Sequence, residues 1–458
     1  MFASQYDQIA RHRGFNANQL NSRVLKLYLS QHYIPAPYGI LDNTFQVEPG
    51  QIVSFDKRGG KKSRRYWEFP KSFDSKFFNY DSGIKHIDRV LTKSVSAELV
   101  SDVPLCSFLS GGIDSALISY YANQEMNEPL SSITIGSNSI KHDETSSARK
   151  YGKLIGVKHT IKKMTANDAR NLLDDVGKSM REPFADFSIL PTFLVSKIAK
   201  EQATVALSGD GADEILAGYD PFLAIKPSQF YNKIIPKSVH YLILKMANIL
   251  PVSNNNLSFD FKVKKTLSGL SYPQKFISPI WMSILDPNEI NELFNIKISL
   301  EELYSETLEL FELHQSNSTF DNMLYFFTKF YLSDNILTKL DTASMANSLE
   351  TRTVFLDNDI INFVETLPHN FKIKNGNRKY ILKKAVENLI PKKIINRKKK
   401  GFGTPISSWF LNEDINIKNK NNIYNHNKIN RLIEEHKKKI KDNSRSLFGL
   451  LSLEKLLK

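Results

Sequence analysis

The residues best suited to chemistry lie in two short glycine-containing loops. The first, Ser110-Gly111-Gly112-Ile113-Asp114-Ser115, follows the apolar run VPLCSFL (103–109) and precedes the helix-like ALISYYANQ (116–124). Two glycines let the backbone approach a ligand closely and turn several N–H groups inward. A helix start adds partial positive charge, and Ser110 and Ser115 add hydroxyl donors, so the loop suits an anion such as pyrophosphate. Asp114 beside a polyanion calls for a cation between them, and Mg²⁺ bridging Asp114 to phosphate oxygens meets that need. The spacing is neither GxxxxGK[ST] nor GxGxxG, which disfavours a Walker loop and dinucleotide hydride chemistry. The bland alternative is a Gly turn with a Ser/Asp helix cap.

The second loop, Leu207-Ser208-Gly209-Asp210-Gly211-Ala212-Asp213-Glu214, follows the apolar TVAL (204–207). Asp210, Asp213 and Glu214 crowd three carboxylates into five residues, an arrangement that repels itself unless cations occupy the site. A solvated acidic turn is the alternative. Two such loops at the same edge of one sheet are harder to dismiss than either alone, because ligands of open α/β sheets bind at the carboxyl ends of strands.

The elements that must position these loops read as alternating helices and strands. Helical IKHIDRVLTKSVSAELV (84–100) leads into the strand 103–109. A helix, the strand SSITIGS (131–137), the helix ETSSARKYGKLIG (144–156) and the strand VKHTIKKM (157–164) follow. A helix over 166–180, another after LPT (190–192) and the strand TVALSG (204–209) complete the run. Strands and helices alternating at this spacing predict βαβ units and a parallel sheet. Beyond about residue 220 the strand signal fades into helices and loops. At the front, FQVEPGQIVSFDKRGG (45–60) reads as short strands around a Gly turn, Tyr33-Ile34-Pro35-Ala36-Pro37 as a rigid turn, and KSFDSKFFNYDSG (71–83) as a connector.

The 458 residues, 41% hydrophobic, can build a sizeable core. No run of about eighteen apolar residues occurs, so no transmembrane helix is expected. The start, MFASQYDQIARHRGF, has no apolar signal region. Cys106 is the single cysteine, which excludes a disulfide framework and a multi-cysteine metal site. These points together predict a cytoplasmic protein with no membrane partner. Sixty-two basic against 48 acidic residues give +14. The densest basic run, Lys392 to Lys400, has no interleaved aromatics on which bases could stack. No nucleic-acid partner is therefore expected, and the run could instead hold an anionic cofactor.

SGGIDS resembles the pyrophosphate-binding loop of the ATP-pyrophosphatase superfamily, and LSGDGADEILAGY is similar to the second signature of class B asparagine synthetases. Further words match in order: HDETSSAR (142–149), EPFADFSILPT (182–192), LSDNILTKLDTASMANSLETRTVFLD (332–357), RKYILKKA (378–385), KKGFGTPISSWF (399–410) and the helical ending 431–457. The resemblance implies an α/β fold. A parallel-sheet ATP-pyrophosphatase domain with a largely helical C-terminal part would span 83–458. Residues 1–72 would be a small β-rich remnant of an N-terminal-nucleophile glutaminase domain. It implies ATP and Mg²⁺ as cofactors, and a reaction in which the β-carboxylate of aspartate attacks the α-phosphate, releasing pyrophosphate, before ammonia displaces AMP. By position, Leu109, Ser110, Gly111, Gly112, Asp114, Ser115, Ser208 and Gly209 would hold the nucleotide and pyrophosphate. Ile135 would line the adenine or ribose pocket, and Asp114 and Asp213 would hold Mg²⁺. Asp210 and Lys379 would be catalytic, Asp210 in adenylate formation and Lys379 by stabilising charge on the reacting phosphates. Lys339, Asp341, Glu350 and Arg352 fall in a helical word where ion pairs would brace the site. Thr342 and Lys455 replace the usual Arg and Trp.

The resemblance fails at the front. Glutaminases of this type use a Cys directly after the initiator Met, whereas Met1 precedes Phe2 here and Cys106 sits inside an apolar strand. The expectation is a chain that does not hydrolyse glutamine alone: it takes free ammonia, borrows a glutaminase subunit, or is the product of a split or truncated gene, with a second copy of itself as another possible partner. The alternative substrates are another carboxylic acid, such as a sugar acid of a surface polysaccharide or a β-lactam precursor, or a tRNA base. A non-catalytic remnant that only binds partners is the remaining reading.

Overall fold

A computed structural model describes residues 1–15, 19–69, 79–137, 143–180, 182–253, 258–314, 318–397, 406–412, 414–419 and 423–456. The connector over 71–78, His142 and the GFGTP word at 401–405 lie outside the described residues. The chain opens with α1 (Tyr6–Ala10), α2 (Ser22–Gln31) and a hairpin of β1 (Gln51–Phe55) and β2 (Lys61–Arg65). Then come α3 (Tyr80–Glu98), β3 (Leu105–Phe108), α4 (Ile113–Glu125), β4 (Ser131–Ser137), α5 (Thr145–Ile155) and β5 (Lys158–Met164). The series continues with α6 (Ala166–Ser179), α7 (Ile189–Lys200), β6 (Val205–Ser208), α8 (Ala212–Ile215) and, much later, β7 (Glu350–Thr353).

Five strands form one parallel sheet in the order β5-β4-β3-β6-β7. The chain runs outward from β3 through β4 to β5, then returns to the other side of β3 as β6. The two glycine loops therefore leave neighbouring strands at the point where the order reverses, where ligands of open α/β sheets bind. Because β side chains alternate between faces, Cys106 and Ala206 enter one core while Leu207 enters the other. Three buried serines tie the layers together: Ser107 hydrogen-bonds to both Ser119 on α4 and Ser132 on β4, each at 2.8 Å. Each buried hydroxyl thereby gains a partner, as it must when removed from water.

Two expectations are corrected. Glu350 and Arg352 stand on the edge strand β7, not in a helix. Arg352 pairs with Glu350 at 2.6 Å and donates to the carbonyls of Glu98 and Val100, so it anchors the end of α3. A polar four-residue strand, Glu-Thr-Arg-Thr, carries no hydrophobic alternation, and only its pairing to β6 makes it a strand. The front of the chain also holds a helix in a stretch read as β-rich. Asn21 caps α2 by accepting from the Val24 N–H, and Val24, Leu25, Tyr28 and Leu29 enter the larger core. The Tyr28 hydroxyl donates to the Gly449 carbonyl at 2.9 Å, 421 residues away in sequence. Lys455, in place of the usual Trp, forms a surface ion pair with Asp174 at 2.7 Å.

Because Leu29 is fully buried in that core, Leu29→Ala should lower unfolding stability by about 2–5 kcal/mol. Urea unfolding measures this, and a change below about 0.5 kcal/mol would show that α2 is dispensable to the core.

Candidate functional site

All twelve site residues expected from the sequence line one cavity of about 750 Å³: Leu109, Ser110, Gly111, Gly112, Asp114, Ser115, Ile135, Ser208, Gly209, Asp210, Asp213 and Lys379. The first loop is closed on itself. Ser115 Oγ accepts from the Ser110 N–H at 2.9 Å and contacts Ser110 Oγ at 2.8 Å, while the Gly112 N–H donates to Ser110 Oγ at 3.1 Å. Helix α4 starts at Gly112 with no capping side chain, leaving first-turn N–H groups for a ligand. The second loop lies directly against the first. A Cβ at Gly209 would meet the Ser115 amide nitrogen at 3.0 Å and Asp114 Cβ at 3.2 Å. Ser208 Oγ donates to Asp210 at 2.5 Å and so fixes that carboxylate at the turn.

Lys379 joins the loops. Its Nζ lies 2.7 Å from both oxygens of Asp114 and 2.7 Å from Asp213 Oδ1. The lysine arrives at the end of the hairpin Ile373–Lys374/Asn377–Arg378, whose Asn375-Gly376 turn has the positive φ values of a tight β-turn. Lys379 itself has φ of 51°, a left-handed conformation disfavoured for a side-chain-bearing residue, so surrounding contacts must hold it. Gly218 makes the approach possible. A Cβ there would stand 1.9 Å from Asp213 Oδ1 and 2.4 Å from Lys379 Cε.

The electrostatics follow from burial. Removing the Lys379 ammonium from water pulls its pKa down, but attraction to Asp114 and Asp213 outweighs that and leaves it raised. One ion pair at this distance is worth about 6 kcal/mol at an effective dielectric of about 20, against several kcal/mol of desolvation for each ion. The second carboxylate therefore tips the balance toward a charged lysine. Neighbouring Lys383 is shifted down by burial and by the cations Arg378 and Lys379.

Several further residues line the cavity, some of which no sequence word singled out. Arg397, within the basic run expected to hold an anion, donates to the Gly111 carbonyl at 2.8 Å and pairs with Glu144 at 3.2 Å. Arg378 pairs with Asp220 at 2.5 Å and donates to the Gly218 carbonyl. Away from these loops the cavity has a second pole. Lys339, on helix Thr338–Met345, donates to Ser188 Oγ at 3.1 Å and lies 3.9 Å from Asp186. Asp341, two residues on, is exposed instead. Asp186 is held down to about 2 because Lys339 and His32 outweigh the upward push of its own burial. His32 also lines this pole, pushed down to about 4 first by burial, so it is neutral at pH 7. Its Nδ1 is buried with no hydrogen-bond partner among the described residues. Tyr331 reaches the pole from the π-helical stretch Phe327–Leu337, and Arg445 comes from the C-terminal helix Ser444–Leu456.

Comparison with known proteins places the chain. The asparagine synthase family model matches residues 86–458. The chain belongs to the asparagine synthase family. An asparagine synthetase [glutamine-hydrolyzing] 1 of Bacillus subtilis is 29% identical over 453 residues, covering 95% of this chain and 68% of the relative. A putative asparagine synthetase [glutamine-hydrolyzing] of Mycobacterium bovis is 26% identical over 456 residues, covering 96% and 67%. This chain thus spans about two thirds of the length of these relatives. More distantly, Amidase chyE of Penicillium rubens is 23% identical over 406 residues, covering 80% and 59%.

The Lys379 cluster yields a stability prediction. Lys379→Gln leaves Asp114 and Asp213 facing one another unneutralised, which should cost about 3–5 kcal/mol at pH 7 without ligands. Adding Asp213→Asn to the Lys379→Gln protein removes that repulsion, so the deficit should shrink. Urea unfolding of the three proteins at pH 7 measures it. No recovery in the double variant would mean that the carboxylates do not repel.

Proposed function

We propose that this chain is an ATP-dependent amide ligase of the class B asparagine synthetase type. In this reading it converts a carboxylic acid, most simply aspartate through its β-carboxylate, to an acyl-adenylate with release of pyrophosphate, and ammonia then displaces AMP. The observation that carries the proposal is the meeting of both glycine loops and Lys379 in one cavity that continues to a second, oppositely equipped pole. The donor set fits ATP and Mg²⁺. Asp114 and Asp213 converge on a single cation position, and no group of three or more metal-binding side chains occurs among the described residues. Two hard oxygen donors completed by phosphate oxygens are what Mg²⁺ prefers.

Asp114 and Asp213 would hold the metal. It would neutralise phosphate charge when bound, releasing Lys379 to contact the reacting phosphates. The α4 amides, Ser110, Ser115, Ser208 and Gly209 would cradle the phosphates, with Arg397 closing one side. Leu109 and Ile135 would face the adenine or ribose. Asp210 would act in adenylate formation, a role taken from the family resemblance rather than from its geometry. At the second pole, Asp186 suits the α-ammonium of an amino acid, while Lys339 and Arg445 suit its carboxylates. The unpartnered Nδ1 of His32 offers one further contact there.

Cys106 is the only cysteine, fully buried in β3, and burial pushes its thiol up to about 12. It supplies no thiolate for glutamine hydrolysis. In this reading ammonia comes from solution or from a glutaminase unit outside these 458 residues, whether a separate subunit or another segment. A larger acid is the second reading. It is favoured by the aromatic wall of Phe187, Phe261 and Trp281 at the second pole and by the amidase relative.

With ATP, Mg²⁺, ammonium and aspartate, the products should be AMP, pyrophosphate and asparagine. Lys339→Met should raise KM for the acid at least about tenfold while leaving KM for ATP within about twofold. Chromatography of nucleotides and amino acids, run with aspartate and a panel of larger acids, measures both. Formation of ADP and phosphate would overturn the adenylation reading. Amide formation on a larger acid alone would transfer it to the second reading.

A further inference from the structure

One surface stands apart from the cavity. Nine of the 24 exposed large hydrophobic residues among the described residues fall between Phe230 and Phe259. They sit on or between the successive helices Asp220–Ile234, Lys237–Asn248 and Phe259–Leu270, the last of which contributes to the cavity wall. On helix Lys237–Asn248 and its C-terminal turn, Val239, Leu242, Met246 and Ile249 recur at intervals of three, four and three, which is one helical face. They are 42%, 60%, 62% and 78% exposed. The preceding helix adds Phe230 and Ile234, one turn apart and 67% and 56% exposed.

This helix is not loosely attached. His240 and Ala247, seven residues apart, are buried on a different face. His240 contacts the Tyr231 hydroxyl at 3.2 Å through Nδ1 and Ser271 Oγ at 3.0 Å through Nε2, tying the three helices together. The apolar face is therefore held outward by a fixed core on another side. A continuous apolar surface of this kind on a folded protein marks an interaction site.

The charge around it selects the occupant. Between Asp220 and Asp260 there is no Asp or Glu, while Lys226, Lys233, Lys237 and Lys245 are all exposed. A second copy would bring the same four lysines against this face, on a chain already at +14. An apolar helical face fringed by lysine and free of acid is instead the pattern of a helix that lies in the interface of an anionic bilayer.

We propose that helices Asp220–Ile234 and Lys237–Asn248 dock this protein on anionic lipid membranes, with the apolar face in the acyl–headgroup boundary and the lysines on the headgroups. No helix among the described residues is long and apolar enough to cross a membrane, and surface docking requires none. This proposal departs from the expectation of no membrane partner. Helix Phe259–Leu270, which packs on the docking pair, places Phe261, Lys262, Lys265 and Thr266 in the cavity wall. Docking would thus set the second pole of the cavity near the lipid surface.

The full chain is tested by co-sedimentation with vesicles of phosphatidylcholine alone and with about 30 mol% phosphatidylglycerol, at about 0.1 M and about 1 M salt. Binding is expected only with the anionic vesicles and should weaken in high salt. The double variant Lys237→Glu/Lys245→Glu should lose at least about tenfold in anionic-vesicle affinity. Leu242→Glu/Met246→Glu should lose binding altogether, while both variants keep the wild-type melting temperature because all four positions are exposed. The proposal is overturned by absence of binding, by equal binding to neutral vesicles, or by undiminished binding of the variants. It is equally overturned if sedimentation velocity finds a dimer that Leu242→Glu/Met246→Glu dissociates while no vesicle binds, since a second copy would then cover the face.

Discussion

Two carboxylates from different loops meet one buried ammonium, and much of the architecture serves to make that meeting tolerable. Asp114 sits in the first turn of α4, Asp213 in the short helix α8 after β6, and Lys379 arrives at the end of a hairpin 166 residues later. Each would be costly to bury alone, and together they neutralise one another. The parallel pairing of β3 with β6 brings the loops side by side, and glycines at 209 and 218 remove the atoms that would keep them apart. The left-handed backbone at Lys379 is a local cost that this cluster offsets. One ammonium against two carboxylates leaves the cluster with a net negative charge beside the first turn of α4.

The order of elements from α3 to β6 was legible because each carries a clean hydrophobic pattern ended by glycine or a polar turn. SGGIDS and SGDGADE stood out from residue type and spacing alone, and the structure sets them side by side in one cavity. Lys379 was legible only through the word RKYILKKA, since nothing about an isolated lysine in a basic region points to a site 265 residues upstream. β7 was hidden because Glu-Thr-Arg-Thr has no apolar period. The second pole was legible only at Lys339, which the sequence placed among bracing ion pairs. His32, Asp186 and Arg445 join it from three other distant parts of the chain through tertiary packing. Helix α2 escaped because the proline-rich turn that follows it dominates the local signal.

The same long-range packing gives the front of the chain a double part. α2 buries its apolar face with the C-terminal helices, and the residue just past its end, His32, reaches the second pole. The stretch resembling the close of a glutaminase domain is thus physically continuous with the cavity wall. On the far side of the same wall, helix Phe259–Leu270 ties the second pole to the lysine-fringed apolar face. The first pole is built from the loops that follow the sheet strands. The second is lined in part by helices Asp220–Ile234 and Phe259–Leu270, which border that exposed apolar face.

The central claim is that a carboxylate oxygen of the acid attacks the α-phosphate of ATP in this cavity. Aspartate labelled with ¹⁸O in its β-carboxylate, turned over with ATP, Mg²⁺ and ammonium, tests it directly by mass spectrometry of the nucleotide product. The account predicts one ¹⁸O atom in the phosphate of AMP and none in pyrophosphate. Label in inorganic phosphate alongside ADP, or AMP free of label, would contradict it.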